Sequence, residues 1–256
     1  MFLVNWITNK VQLLLNHDSE LVDDAVISNV FVSQAGSWDC GIACTSMALR
    51  WCAVNLNSID TTPMCVSRHT PLWTIDMYCF LRQRGINCEF STQVPGVNAQ
   101  HASLEWYTPH IDADRQRVEA QFQLAVNNGW VVKPSLSTMD LIRALHENSK
   151  ESASGIVPLS QRTLCAIVLV DSNYLYADLR SGGSGRCSTT NYSGHYVIVL
   201  AINDSSANDD TDKISGGDVL YMDPARAPRI QRCSVELFDK GRCSSGTDMD
   251  VLLLWR

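Results

Sequence analysis

An α+β fold, with amino-terminal helices packed on a mainly antiparallel sheet, is what this 256-residue chain predicts, and three observations carry the prediction. Apolar residues at helical spacing crowd the amino-terminal half, short apolar runs of strand length crowd the carboxy-terminal half, and two of those runs flank a polar loop as hairpin strands do. A hydrophobic content of 45% over this length supports one large core. A single globular domain is therefore expected over residues 26–256, preceded by an amino-terminal extension, residues 1–25.

The elements follow in order. Val26 to Gln34 is apolar and β-branched and reads as a short strand or extended lead-in to a turn at Gly36 and Ser37. From Cys40, the residues Ala43, Cys44, Met47, Ala48 and Trp51 recur at spacings of three and four, the stripe of a helix lying on the core. Thr70 and Pro71, a side-chain cap followed by proline at the first helical position, start a helix that carries Leu72, Ile75 and Cys79 to Arg84, where Gly85 stops it. Ile86 to Ser91 is then a strand. Asp112 caps a long helix with Val118, Phe122, Ala125 and Val126 on its buried stripe and ends near a left-handed Gly129, before a strand from Trp130 to Lys133. Ser137 and Asp140 form a capping box ahead of a helix reaching about Asn148, and residues 147–154 are a polar link.

The continuous apolar run from Leu164 to Val170 is the pattern of a strand covered on both faces, which places it at the sheet's centre. Tyr196 to Ile202 and Val219 to Met222 form an antiparallel hairpin around the solvated loop Asn203 to Asp218. A register that sets His195 opposite Asp223 also sets Val199 opposite Val219, keeping apolar residues paired across the ladder. A helix around Val235 to Lys240 and a strand from Val251 to Trp255 close the chain, and there is no internal repeat.

Charge and cysteine usage narrow the function. A net charge of −7 argues against gripping a phosphate backbone, so no nucleic-acid partner is expected. The apolar start at Met1 to Val4 has no basic region ahead of it and no small-residue cleavage site, so no secretory signal is read. No apolar stretch approaches the roughly 20 residues of a membrane helix, and no membrane association is expected. The ten cysteines are irregularly spaced in a long chain, which fits reduced thiols in the cytoplasm rather than a disulfide scaffold. Cys44, Cys52, Cys79 and Cys165 lie in apolar periodic stretches and read as small buried hydrophobes. No CxxC pair occurs, and Cys40 with Cys44 lacks a second pair at zinc-site spacing, so neither a metal nor a cofactor is expected.

Four residues carry the candidate chemistry: Gln34, Cys40, His195 and Asp223. Cys40 opens a helix, where unpaired N–H groups and the positive dipole end favour a thiolate, and Gly41 leaves the sulfur uncrowded. Of the six histidines, His17, His69, His101, His110 and His146 lie in polar segments or loops, whereas His195 directly precedes an apolar strand with an acid across from it. An imidazole beside Cys40 would complete an ion pair, and Asp223 would fix its tautomer. Gln34, with the backbone N–H of Cys40, could donate to a developing oxyanion. Each element also has a plainer reading: Cys40 as core, His195 as a strand-end residue, Asp223 before Pro224 as a turn starter. Trp38 and Asp39 anchor the turn and have no chemical role assigned.

These residues, with Trp73-Thr74-Ile75-Asp76, Gly194-His195-Tyr196, Asp223-Pro224-Ala225 and Gly246-Thr247-Asp248, resemble the guanylyl cyclase domain-containing protein family from about Val26 to the end. The run from Trp38 to Cys44 is the most specific part. That family in turn looks like papain-like cysteine peptidases, especially those that cut leader peptides after double glycine. The resemblance implies a papain-like fold and puts the Gln, Cys, His and Asp roles on Gln34, Cys40, His195 and Asp223. The loops Arg180 to Tyr192 and Asn203 to Asp218 look like local elaborations.

Three functions compete. The first is a cysteine hydrolase acting on a peptide, isopeptide or related acyl bond, with a peptide or protein as partner. The second, implied by the family's name, is a guanylyl cyclase making cyclic GMP from GTP with magnesium or manganese. Such chemistry needs metal-binding carboxylates and cations at the phosphates. Asp209, Asp210 and Asp212 read instead as a solvated loop, and Ser181 to Gly185 lacks the strand-to-helix setting of a phosphate cradle. The third is a binding module on the same fold. Oligomeric state is left open.

Overall fold

A strand apolar on both faces must sit mid-sheet, and the run ending at Val170 does. The computed structural model describes residues 24–51, 72–150, 163–177, 191–204 and 217–255. In chain order they form α1 (Asp24–Val30), α2 (Cys40–Trp51), α3 (Thr74–Gln83), β1 (Cys88–Thr92), a 3-10 turn (Ala99–Ser103), α4 (Ile111–Asn127), β2 (Val132–Pro134) and α5 (Thr138–Lys150). Then follow β3 (Thr163–Asp171), the short α6 (Ser172–Leu175), β4 (Gly194–Asp204), β5 (Gly217–Met222), β6 (Gln231–Ser234), α7 (Val235–Arg242) and β7 (Val251–Trp255). The strands make one sheet in the order β2-β1-β7-β3-β4-β5-β6, with β3 fourth of seven. Only β1 and β2 pair in parallel; the other pairs are antiparallel, so the α+β architecture read from the sequence is the one that forms.

Alternation along the central strands feeds two cores. Cys165, Ile167 and Leu169 of β3 join Ile198, Leu252 and the apolar stripes of α2 and α3, whereas Ala166, Val168 and Val170 join Val197, Val251, Leu141 of α5 and Phe238 of α7. Each fully buried aliphatic side chain stabilises this packing by roughly 1.5 to 3 kcal/mol. Arg242, with no exposed surface, ties α7 to α5: Nη1 donates to Thr138 Oγ1 at 2.8 Å and Nη2 to the Leu136 carbonyl at 2.8 Å.

Several expectations need correction. Residues from Val26 form α1 rather than a strand, because Ile27 and Val30 bury together at helical spacing while Ser28 and Asn29 face solvent. The helix expected from Thr70 begins at Thr74 instead. The Asp76 carboxylate accepts from the Trp73 N–H at 2.9 Å and the Asp76 N–H donates to the Trp73 carbonyl at 2.9 Å, which closes the first turn there. Thr70 and Pro71 lie outside the described residues, as do Cys52, Ser181 to Gly185, and Asp209, Asp210 and Asp212. Asp112 sits inside the first turn of α4, not at its cap, and Val126 is 69% exposed because α4 rests mainly on α3. Ser137 and Asp140 do form their box: Ser137 Oγ donates to Asp140 Oδ2 at 2.6 Å and accepts from the Asp140 N–H at 3.0 Å. The hairpin of β4 and β5 forms in another register. Val199 faces Tyr221 and Ile202 faces Val219, with a bulge between Val199 and Ala201 that shifts the ladder.

Candidate functional site

The turn ahead of α2 is folded by its own aspartate. Asp39 accepts from the Ala35 N–H at 2.8 Å and the Gly36 N–H at 2.9 Å, while its carbonyl accepts from the Ala43 N–H at 3.0 Å in the first helical turn. Asp39 thus anchors the turn, as the sequence suggests. Gly36 is required by Trp38, whose Nε1 would lie 2.7 Å from a Cβ at that position. Cys40 is consequently the first residue of α2, and it is 6% exposed. Gly41 acts differently from expectation. A Cβ there would meet Met77 Sδ at 3.1 Å and Tyr196 Cδ2 at 3.3 Å, so the glycine lets α2 close onto α3 and β4.

His195, the second residue of β4, pairs with Val170 of β3 and lies beyond the last β4–β5 pair, Ile198 with Met222. Although not directly opposite Asp223, its Nε2 lies 2.8 Å from Asp223 Oδ1. The Cys40 thiol acts on the imidazole as well, adding to the rise that Asp223 causes. Asp223, with no exposed surface, is fully engaged: Oδ1 also accepts from the Ala225 N–H at 2.8 Å, and Oδ2 accepts from Tyr176 Oη at 2.6 Å. Burial pushes the Asp223 carboxyl up, but the imidazole and these donors hold it below its ordinary value. Burial pushes His195 down, yet Asp223 and Cys40 outweigh it and lift the imidazole to about 9. The Arg226 guanidinium stacks over the Tyr176 ring at 4.1 Å and steadies this outer layer.

Gln34 belongs to the same turn. Its backbone N–H donates to the Pro224 carbonyl at 3.0 Å, tying the turn to the residue after Asp223. Its Nε2 donates to the Gly36 carbonyl at 2.7 Å, which engages one amide hydrogen and leaves the other. Cys44 is a buried thiol donating to the Tyr196 carbonyl at 3.2 Å, and burial pushes it up; Cys79 and Cys165 are also buried, in keeping with their bland reading.

Cys40 opens onto a cleft of about 500 Å³ walled by Trp73, Trp106, Tyr107 and Tyr196. Along it lies a second polar group that the sequence reading passed over. His101 is 2% exposed, not a loop histidine in solvent; it stacks on Tyr107 at 4.5 Å and sits 3.3 Å from Asp248 Oδ1. Thr74 Oγ1 donates to Asp250 Oδ2 at 2.5 Å and lies 2.9 Å from Tyr196 Oη. Burial pushes Asp250 up to about 7, against the opposing hydroxyls of Thr74 and Thr92. Asp248 and Met249 both have left-handed backbones, with φ of 47° and 53°. The available signal was the Gly246-Thr247-Asp248 loop beside the aromatic pair Trp106 and Tyr107, residues that only tertiary packing brings to one cleft. Among the described residues no group of three His, Cys, Asp or Glu side chains is arranged around a metal ion, and no helix is long and apolar enough to cross a membrane.

Comparison with known proteins matches the chain to one family. The family model described as guanylylate cyclase covers residues 30–254. Guanylyl cyclase 1 of Arabidopsis thaliana is 28% identical over 231 residues, covering 87% of this chain and 74% of the plant protein. The family match spans all four candidate residues and nearly every described element, and on that evidence the chain belongs to the guanylylate cyclase family.

Proposed function

We propose that the protein is a cysteine-dependent hydrolase of papain-like type, acting on a peptide, isopeptide or related acyl bond. The observation that carries the reading is the buried Asp223 hydrogen-bonded to His195, whose imidazole is raised by Asp223 and by the Cys40 thiol together. In the reaction, the Cys40 sulfur attacks the carbonyl carbon, and the negative charge gathers on the carbonyl oxygen. The Cys40 N–H and the remaining amide hydrogen of Gln34 are the donors for that oxygen. His195, held protonated by Asp223, gives its proton to the leaving amine as the carbon–nitrogen bond breaks, leaving an acyl-thioester on Cys40. Water then attacks the thioester, His195 takes its proton, and the acid departs as the Cys40 thiolate leaves and the starting pair with protonated His195 is restored. The irregular spacing of the ten cysteines in a long chain supports a reducing, cytoplasmic setting.

The reading is tested by limiting alkylation with iodoacetamide followed by peptide mapping. Preferential labelling of Cys40 is expected even over the exposed Cys243. Uniform labelling, or none at Cys40 with the fold intact, counts against turnover and favours a binding module.

A second reading is supported by the family's description and the plant relative's printed name: conversion of GTP to cyclic GMP. Cyclisation assisted by a divalent metal needs carboxylates on that ion, and among the described residues no group of three His, Cys, Asp or Glu side chains is placed to hold one. Purified protein given GTP with magnesium or manganese would yield cyclic GMP on this reading, with unchanged yield from Cys40→Ala. No cyclic GMP from either protein would remove it.

A further inference from the structure

We infer that the cleft contains a cation subsite, in which Asp250 and Asp248 take the ammonium or guanidinium of a Lys or Arg side chain between the walls of Trp73, Trp106 and Tyr107. The inference deepens the hydrolase reading and rests on it for the statement that the occupant is a substrate.

Asp250 is the anchor. It is 8% exposed, it lines the cleft, and while Oδ2 is taken by Thr74, Oδ1 makes no hydrogen bond. A buried polar atom without a partner costs free energy that a ligand's donor would recover. Neither ring nitrogen of His101 makes a hydrogen bond either, although the side chain is buried against Asp248 on the same wall. The strained pair Asp248 and Met249 holds both carboxylates in place. Left-handed backbone at two consecutive non-glycine residues persists only where the surroundings impose it, here through Asn98 Nδ2 on Asp248 Oδ1 at 2.7 Å and the Gln93 N–H on the Asp248 carbonyl at 2.7 Å.

The sign of the ligand follows from the surrounding charge. Behind Trp73, Asp76 and Asp114 share the single guanidinium of Arg117. Counting Asp248 and Asp250, this side of the cleft holds four carboxylates against Arg117 and His101, and among the described residues no Lys or Arg lines it. Such a field concentrates cations and repels phosphates. The walls suit the same ligand, since aromatic faces attract ammonium and guanidinium groups. They are also fixed in advance: Trp73 Nε1 donates to Asp114 Oδ2 at 3.0 Å and Tyr107 Oη to the Gly246 carbonyl at 2.8 Å.

The test uses the full chain carrying Cys40→Ala, so that binding is read without turnover. Tryptophan fluorescence is followed on titration with the N-acetyl methylamides of lysine, arginine and the uncharged norleucine. The cationic amides should bind about tenfold tighter than norleucine, and that preference should vanish in Asp250→Asn and in Asp248→Asn. Asparagine tolerates a left-handed backbone, so Asp248→Asn keeps its fold. Asp218→Asn, at a half-buried position that does not line the cleft, should leave binding unchanged. Equal binding of norleucine, no saturable binding of either cationic amide, or a preference that survives both substitutions would overturn the subsite. Tighter binding of GTP with the same dependence on Asp250 would overturn it in favour of a nucleobase site. Failure here leaves Cys40 alkylation untouched, whereas failure of the hydrolase reading leaves this binding intact.

Discussion

Two polar groups share one cleft and are built on opposite principles. Around Cys40, His195 and Asp223 the carboxylate is saturated: Asp223 accepts from His195, Tyr176 and the Ala225 N–H, and burial of its charge is offset by those donors. Around Thr74, His101, Asp248 and Asp250 the accounting is open. Asp250 Oδ1 and both His101 ring nitrogens lack hydrogen bonds, and two successive residues hold left-handed backbones. A closed network fixes geometry in advance, as proton transfer requires, whereas an open one keeps its polar atoms for a ligand that has yet to arrive. The difference is visible in acidity as well: Asp223 is held below its ordinary value while Asp250 is pushed up to about 7.

The comparison can be broken most severely at the closed group. Cys40→Ser should lower turnover of a peptide substrate by about 10³-fold or more, because removing the nucleophile disables the relay as a unit. Asp250→Asn should leave Cys40 alkylation as in the wild type. If the two substitutions act alike on alkylation, the groups are not separate.

Asp223→Asn probes the closure itself. It should cut turnover by about 10²- to 10⁴-fold, because an amide can hold the wrong tautomer of His195. By NMR the His195 ring should titrate near 9 in the wild type and markedly lower in the variant. The sign for stability follows: His195 is raised above its unfolded value of 6.5, so its contribution is fully present below that pH and is lost as pH rises through about 9. Loss of that alkaline decline in Asp223→Asn, read by denaturant unfolding, is the expected outcome.

Asp250 behaves in reverse. Its folded value of about 7 lies above the unfolded 3.8, so ionisation favours the unfolded chain increasingly from about pH 4 to about pH 7. Asp250→Asn should therefore stabilise the protein at neutral pH by roughly 2 to 4 kcal/mol and by little below pH 4. Thermal midpoints of the two proteins that diverge in acid and converge at neutral pH would reverse the assignment. The smallest effect belongs to the strained loop. Met249→Gly should stabilise by about 1 kcal/mol, since glycine carries no left-handed penalty, and a destabilisation would show that the Met249 side chain contributes more than its backbone costs.

What could be read in advance followed from patterns that depend on few partners. The run to Val170 identified the central strand because a strand buried on both faces has no polar alternation, and the Ser137 and Asp140 box is a local exchange of hydrogen bonds. The Cys40, His195 and Asp223 convergence was legible from helix position and strand ends, although the register behind it was not, since the bulge near Leu200 leaves no mark in the residues. Val26 to Val30 misled because β-branched side chains suggest a strand, while the spacing of Ile27 and Val30 selects a helix once a core is present. His101 was hidden by polar neighbours. Its burial comes from Trp73, Tyr107 and Asp248, drawn from three separate parts of the chain.

The central claim, that His195 activates the Cys40 sulfur, is tested most directly by the rate of Cys40 alkylation at neutral pH in the wild type and in His195→Ala. A fall of about 10²-fold or more in the variant, with Cys243 labelling unchanged, is the predicted result. Equal rates at Cys40 in the two proteins would contradict it.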